Sequence, residues 1–252
     1  MNDNAEATEA AIVRKASLLK RIWGVIATIL ALVYTAILSP LAAGASLFGE
    51  GHAVTPLMRI WAWLILRTCG VRAEVVGMEN LNGLDSFVLV SNHQSMFDIL
   101  ATIDLIPREV RFVAKRELRR IPFIGFALVH SGNILIDRNN GGRTIRRAIE
   151  AARAGYSICV FAEGHRFSDN RLHEFNDGAA WLAIATRLPC IPVAISGTLA
   201  LMPRRTKFVI PGARIRIALG KPIETKGMRS ADRAELTRRL EAEVLAAFRP
   251  SV

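Results

Sequence analysis

Residues 87–98 read Phe87-Val88-Leu89-Val90-Ser91-Asn92-His93-Gln94-Ser95-Met96-Phe97-Asp98. The first four are apolar without a break. A half-solvated strand alternates apolar and polar residues, so an unbroken run predicts a strand covered on both faces. It ends at Ser91, and a helical stretch to about Leu105 follows. A strand that feeds a helix in this way is the repeating unit of α/β folds.

The same alternation continues in both directions. Further candidate strands are 73–76, 110–113, 133–136, 157–161, 191–195 and 214–218. Between them lie amphipathic stretches. In 143–154, Ile145, Ala148, Ile149 and Ala152 share one face, and Gly155 is placed to cap the end. In 231–248, Leu236, Leu240 and Val244 repeat on one side. The expectation is an α/β fold: a mixed, mostly parallel sheet flanked by helices, with an N-terminal membrane-embedded helical segment. Neither GxGxxG nor GxxxxGK[ST] occurs, which argues against a nucleotide phosphate loop.

The chain is both greasy and basic. Hydrophobic residues make up 51%, and 33 lysines and arginines outnumber 22 aspartates and glutamates. Such a balance points to anionic partners, either nucleic acid or anionic lipid. The basic residues are not interleaved with an aromatic platform, so no nucleic-acid partner is expected. The three cysteines, Cys69, Cys159 and Cys190, form no CxxC pair, which argues against a zinc knuckle or a disulfide framework.

Three segments are expected: a polar, basic N-terminal tail (1–21), a membrane-associated helical region (22–70) and a catalytic domain (71–252). The uncharged run 22–38 would make a helix roughly 25 Å long, marginal against a hydrocarbon core of about 30 Å. A second apolar stretch, 54–66, carries Trp61, Trp63 and Arg59, which suits a membrane interface. A cleavable signal peptide, with Ala43-Gly44-Ala45 as its cut site, and a soluble two-helix cap are the competing readings. A retained anchor fits both apolar stretches best.

Two constellations carry chemistry. His93 stands at the carboxyl end of an apolar strand, where α/β sheets open their ligand crevices. Asp98 can reach back over the first helical turn and fix one ring nitrogen, leaving the other to take a proton. Exposed backbone N–H groups at the helix start could stabilise an oxyanion. The same aspartate would also close a capping box with Ser95, a purely structural role. No GxSxG elbow is present, so attack by a substrate hydroxyl is favoured over a covalent acyl-enzyme. No ligand-spaced histidine or cysteine stands nearby, so no metal is expected.

The second constellation is Phe161-Ala162-Glu163-Gly164-His165-Arg166-Phe167-Ser168, again after an apolar strand. Gly164 permits a tight turn. Arg166 offers a planar fork for phosphate oxygens, and Glu163 can hold that arginine or an acceptor hydroxyl. A strand-end turn with a surface ion pair would look the same. Lys115, Arg116, Arg119 and Arg120 form a basic cluster after strand 110–113, and Asp137-Arg138 closes strand 133–136.

Together these segments resemble the glycerolipid acyltransferase family. Asn92-His93…Asp98 is similar to its N-H-x4-D motif. Lys115…Leu118…Pro122…Gly125…Asp137-Arg138 is similar to its second block, residues 161–168 to F-P-E-G-T-R-S, and Ile191-Pro192-Val193 to its fourth. The resemblance covers residues 72–220 in order. It implies that His93 is the general base and Asp98 its orienter. It implies that Lys115, Arg138 and Arg166 hold an acceptor phosphate, and that Glu163 and Gly164 shape the acceptor site.

The implied reaction moves an acyl group from acyl-CoA or acyl carrier protein to the sn-2 hydroxyl of lysophosphatidic acid, giving phosphatidic acid. No cofactor is implied, and the phospholipid bilayer is the expected partner. Cytosolic donors imply the cytoplasmic face of a bacterial inner membrane. Ala162 and His165 depart from the pattern, and Asn176-Asp177 stands where lysines are common. A lyso-aminolipid acceptor is therefore the first alternative. A lipid-binding protein without catalysis is the second, separable by whether the chain releases CoA.

Overall fold

The computed structural model describes residues 3–46, 54–120, 125, 128–129, 131–136, 141–203 and 206–250. Among the described residues, seven strands form one sheet: β1 (Arg72–Val76), β2 (Val88–Ser91), β3 (Val110–Lys115), β4 (Ile134–Ile136), β5 (Ser157–Phe161), β6 (Cys190–Ser196) and β7 (Arg214–Leu219). Their order is β1-β7-β6-β2-β5-β3-β4. Only β6 and β7 pair antiparallel; every other pair is parallel. The mixed, mostly parallel sheet expected from the sequence is the one found.

Alternation along β2 shows why Val88, Leu89 and Val90 are apolar without a break. Leu89 packs in a core with Phe97, Leu100, Ile191, Ile195 and Ile217. Val88 and Val90 pack in a second core with Ala148, Ile158, Leu182 and Leu240. Successive side chains point to opposite faces, and both faces are covered. The first is covered by α2 (Leu18–Ser46), α3 (Val54–Thr68) and α4 (Phe97–Leu105). The second is covered by α5 (Gly141–Arg153), α6 (Gly178–Thr186) and α7 (Arg233–Ala247).

The N-terminal region is more helical than the sequence suggested. Residues Asp3–Lys15 form α1 inside the stretch read as a polar tail. The helix expected over 22–38 extends to 29 residues, running through Pro40. That is about 43 Å at 1.5 Å per residue. Helix α3 doubles back along it: Trp23 Nε1 donates to the Thr68 carbonyl (3.0 Å) and Trp61 Nε1 to Thr35 Oγ1 (2.9 Å). Gly24, Ala27, Ala31 and Tyr34 form the stripe of α2 turned to the domain. Gly24 allows the closest approach, since a Cβ there would lie 2.0 Å from the Val209 carbonyl oxygen.

Candidate active site

Parallel register brings the two sequence constellations to one sheet edge. Ser91 lies opposite Phe161, so His93 and Glu163 leave neighbouring strands at the same level. The β2–β6 ladder ends at Ser91 and Val193. Asn92 extends it with its side chain, donating from Nδ2 to the Ile195 carbonyl and accepting from the Ile195 N–H, both at 2.8 Å. That bidentate lock fixes the backbone at the residue preceding His93. The His93 ring lies on Phe161, with ring centres 4.0 Å apart and planes 15° off parallel.

Asp98 is fully buried and accepts four donors. Its Oδ2 is 2.8 Å from His93 Nδ1, 2.8 Å from the Gln94 N–H and 2.9 Å from the Ser95 N–H. Its Oδ1 accepts from the Thr198 hydroxyl. Both readings of Asp98 are therefore realised in one carboxylate: it closes the start of α4 and it holds the imidazole. Holding Nδ1 leaves Nε2 as the ring nitrogen that Asp98 does not engage. The helix-start N–H groups considered for an oxyanion are otherwise employed: Gln94 and Ser95 serve Asp98, and His93 N–H serves Glu163.

Glu163 is buried, with Oε2 accepting from His93 N–H (3.0 Å) and Oε1 from His173 N–H (3.1 Å). Burial pushes its carboxyl up to about 7, against the pull of the His173 and His93 amides. Gly164 adopts φ +69°, the left-handed turn that its lack of a side chain permits. Arg166 is half-buried on the loop that follows. Lys115 ends β3 at the same edge, and Arg116–Arg120 continue as a 3-10 turn. Arg138, Asp137 and Pro122 lie outside the described residues. Asn176 is exposed, and its Nδ2 donates to the Ala162 carbonyl (3.1 Å).

Thr198 and Phe161's stacking were missed in the sequence. Thr198 is separated from Asp98 by 100 positions, and nothing local marks it. Burial pushes the Cys190 thiol up to about 12 and raises Cys159 as well, so neither supplies a thiolate at neutral pH.

The acyltransferase family profile matches residues 72–196, the stretch that contains His93, Asp98, Glu163 and Arg166. Residues 72–196 belong to the acyltransferase family. Among the relatives of the chain is a chloroplastic 1-acyl-sn-glycerol-3-phosphate acyltransferase of Brassica napus, 30% identical over 171 residues. That match covers 66% of this chain and 49% of the relative, so the chain spans about half the length of that protein. The alpha form of the same enzyme from Ovis aries is 29% identical over 197 residues, covering 77% of this chain and 68% of the relative. The crystal structure of the 1-acyl-sn-glycerophosphate acyltransferase of Thermotoga maritima superposes with a TM-score of 0.76 at 25% identity, over 90% of this chain and 95% of that one. The structural likeness to that protein thus reaches beyond residues 72–196.

Proposed function

We propose that the chain transfers a fatty acyl group from acyl-CoA or acyl carrier protein to the sn-2 hydroxyl of lysophosphatidic acid, giving phosphatidic acid. The observation that carries this reading is the His93–Asp98 pair, 2.8 Å apart at the carboxyl end of β2. Nε2 of His93 takes the proton of the acceptor hydroxyl as its oxygen attacks the thioester carbonyl. The tetrahedral intermediate collapses, the C–S bond breaks, and the thiolate leaves to be protonated as the free thiol. Lys115, Arg138 and Arg166 hold the acceptor phosphate, while Gly164 and buried Glu163 shape the loop beneath it. The names of the relatives support this acceptor. The neutral amide of Asn176, tied to the Ala162 carbonyl where a cation is common, favours a second reading with a lyso-aminolipid acceptor.

The bilayer is the proposed partner, and the cytoplasmic face of a bacterial inner membrane the proposed location. Exposed apolar residues along α2 and basic residues near its start support both. The test is acyl transfer from labelled oleoyl-CoA and oleoyl-acyl carrier protein to a panel of lysolipids, with His93→Ala alongside. Phosphatidic acid from wild type alone is expected. Product from another lysolipid would replace the acceptor, and no product from any pairing would remove the catalytic reading.

A further inference from the structure

We propose that His173, held by Asp169, is a positioning residue for the acceptor. It braces the Arg166 loop against the segment that carries His93, and the inference rests on the acceptor site proposed above. Its basis is a closed circuit of contacts. The Phe167 N–H donates to the His93 carbonyl at 3.2 Å. The Phe167 ring lies on the His173 imidazole, with centres 3.6 Å apart and planes 15° off parallel. His173 Nε2 is 2.9 Å from both carboxylate oxygens of Asp169. The His173 N–H returns to Glu163 Oε1, whose partner oxygen accepts the His93 N–H. Residues 93, 167, 173 and 163 thus lock one another, and Arg166 immediately precedes the stacked Phe167. Loops are mobile unless their backbone groups and side chains are tied down. Here a buried carboxylate and a stacked imidazole, its Nε2 shared between the two Asp169 oxygens, do the tying, so the phosphate-binding arginine is placed before the acceptor arrives.

Loosening this circuit should raise the acceptor KM and leave the donor KM alone. The experiment uses the full chain in vesicles of phosphatidylglycerol and phosphatidylethanolamine, comparing wild type, His173→Ala and His173→Phe. His173→Phe keeps the ring on Phe167 and loses Asp169. The expected result is an acceptor KM raised at least threefold in His173→Ala and by less in His173→Phe, with donor KM within twofold of wild type. Hydrogen exchange of the Phe167 amide should quicken in the same order. A purely structural histidine would lower the melting temperature without separating the two KM values. Unchanged Phe167 exchange, or equal movement of both KM values, would overturn the brace. If wild type turns over no lysolipid, the proposed function fails. Exchange at Phe167 and binding of glycerol 3-phosphate by wild type and His173→Ala then decide the brace, and equal values in the two proteins would refute it.

Discussion

Asp98 spends one carboxylate on two tasks, so its neighbours separate them better than it does itself. His93→Ala removes the base and leaves the Gln94, Ser95 and Thr198 donors in place. Turnover should fall by roughly 10²–10⁴-fold, with the melting temperature and vesicle binding close to wild type. A variant retaining near-normal turnover would remove the base assignment. Thr198→Val instead strips a hydroxyl from the buried carboxylate, which should cost about 1.5–3 kcal/mol of stability. It should lower kcat while leaving both KM values in place, as urea unfolding and steady-state rates would show. Glu163 supplies a pH signature. Its carboxyl sits at about 7 in the folded chain, above the unfolded value, so the folded state holds the proton longer. The stability that this contributes is present at low pH and is lost as pH rises through about 7. Glu163→Gln abolishes the titration. The stability of wild type relative to the variant should therefore fall between about pH 4.5 and 7, and pH curves that run parallel would refute the assignment. The histidine, its aspartate and the glycine turn were legible because each lies within a few residues of a strand end. Thr198 was not, because its partner is brought to it only by the β2–β6 pairing.

At the scale of elements, all seven strands were legible as short runs of four or five residues, most plainly β2, β5 and β6, where burial on both faces writes itself into nearly every position. Their order was not, because periodicity records which face is covered and not which strand lies beside which. The ends of α2 were also illegible. Apolar composition continues past Pro40, and the start at Leu18 lies among basic residues. The contact that docks α2 is legible only in space: Gly24 meets the Val209 carbonyl, and Val209 N–H donates to Thr28 Oγ1 at 3.0 Å. Gly24→Ala would gain helix propensity, worth about 1 kcal/mol in an unhindered helix. The Cβ would however sit 2.0 Å from the Val209 oxygen, well inside contact distance, so the helix must move away. Overpacking of this kind typically costs about 1–3 kcal/mol. The expected result is a lower melting temperature and faster proteolysis between α2 and the domain. A variant more stable than wild type would show that propensity outweighs the clash.

At the scale of the molecule, the helical pair decides how the chain meets a bilayer. Helix α2 is long and apolar enough to cross a membrane. Yet one stripe of it packs on the domain, and Leu18, Ile22, Val25, Ile29, Leu32 and Ile37 are exposed on the other. A spanning helix would need to leave the domain, whereas a helix with one stripe docked and the other apolar suits burial in a single leaflet. The Trp23–Thr68 bond makes the same argument from the chain path, since it sets the outgoing start of α2 beside the returning end of α3. Lys20, Arg21, Arg67, Arg72 and Arg214 are exposed around that junction, where anionic headgroups would meet them at about 1 kcal/mol for each cation. Residues before α2 and the catalytic domain should therefore lie on one side of the membrane. In sealed, inside-out vesicles, protease added outside should digest an N-terminal tag and the domain together. Protection of one and not the other would mean that α2 crosses. Replacing Ile22, Ile29 and Leu32 together by glutamate should release the chain from vesicles while the His93 site stays folded, because none of the three side chains lies in the stripe that faces the sheet.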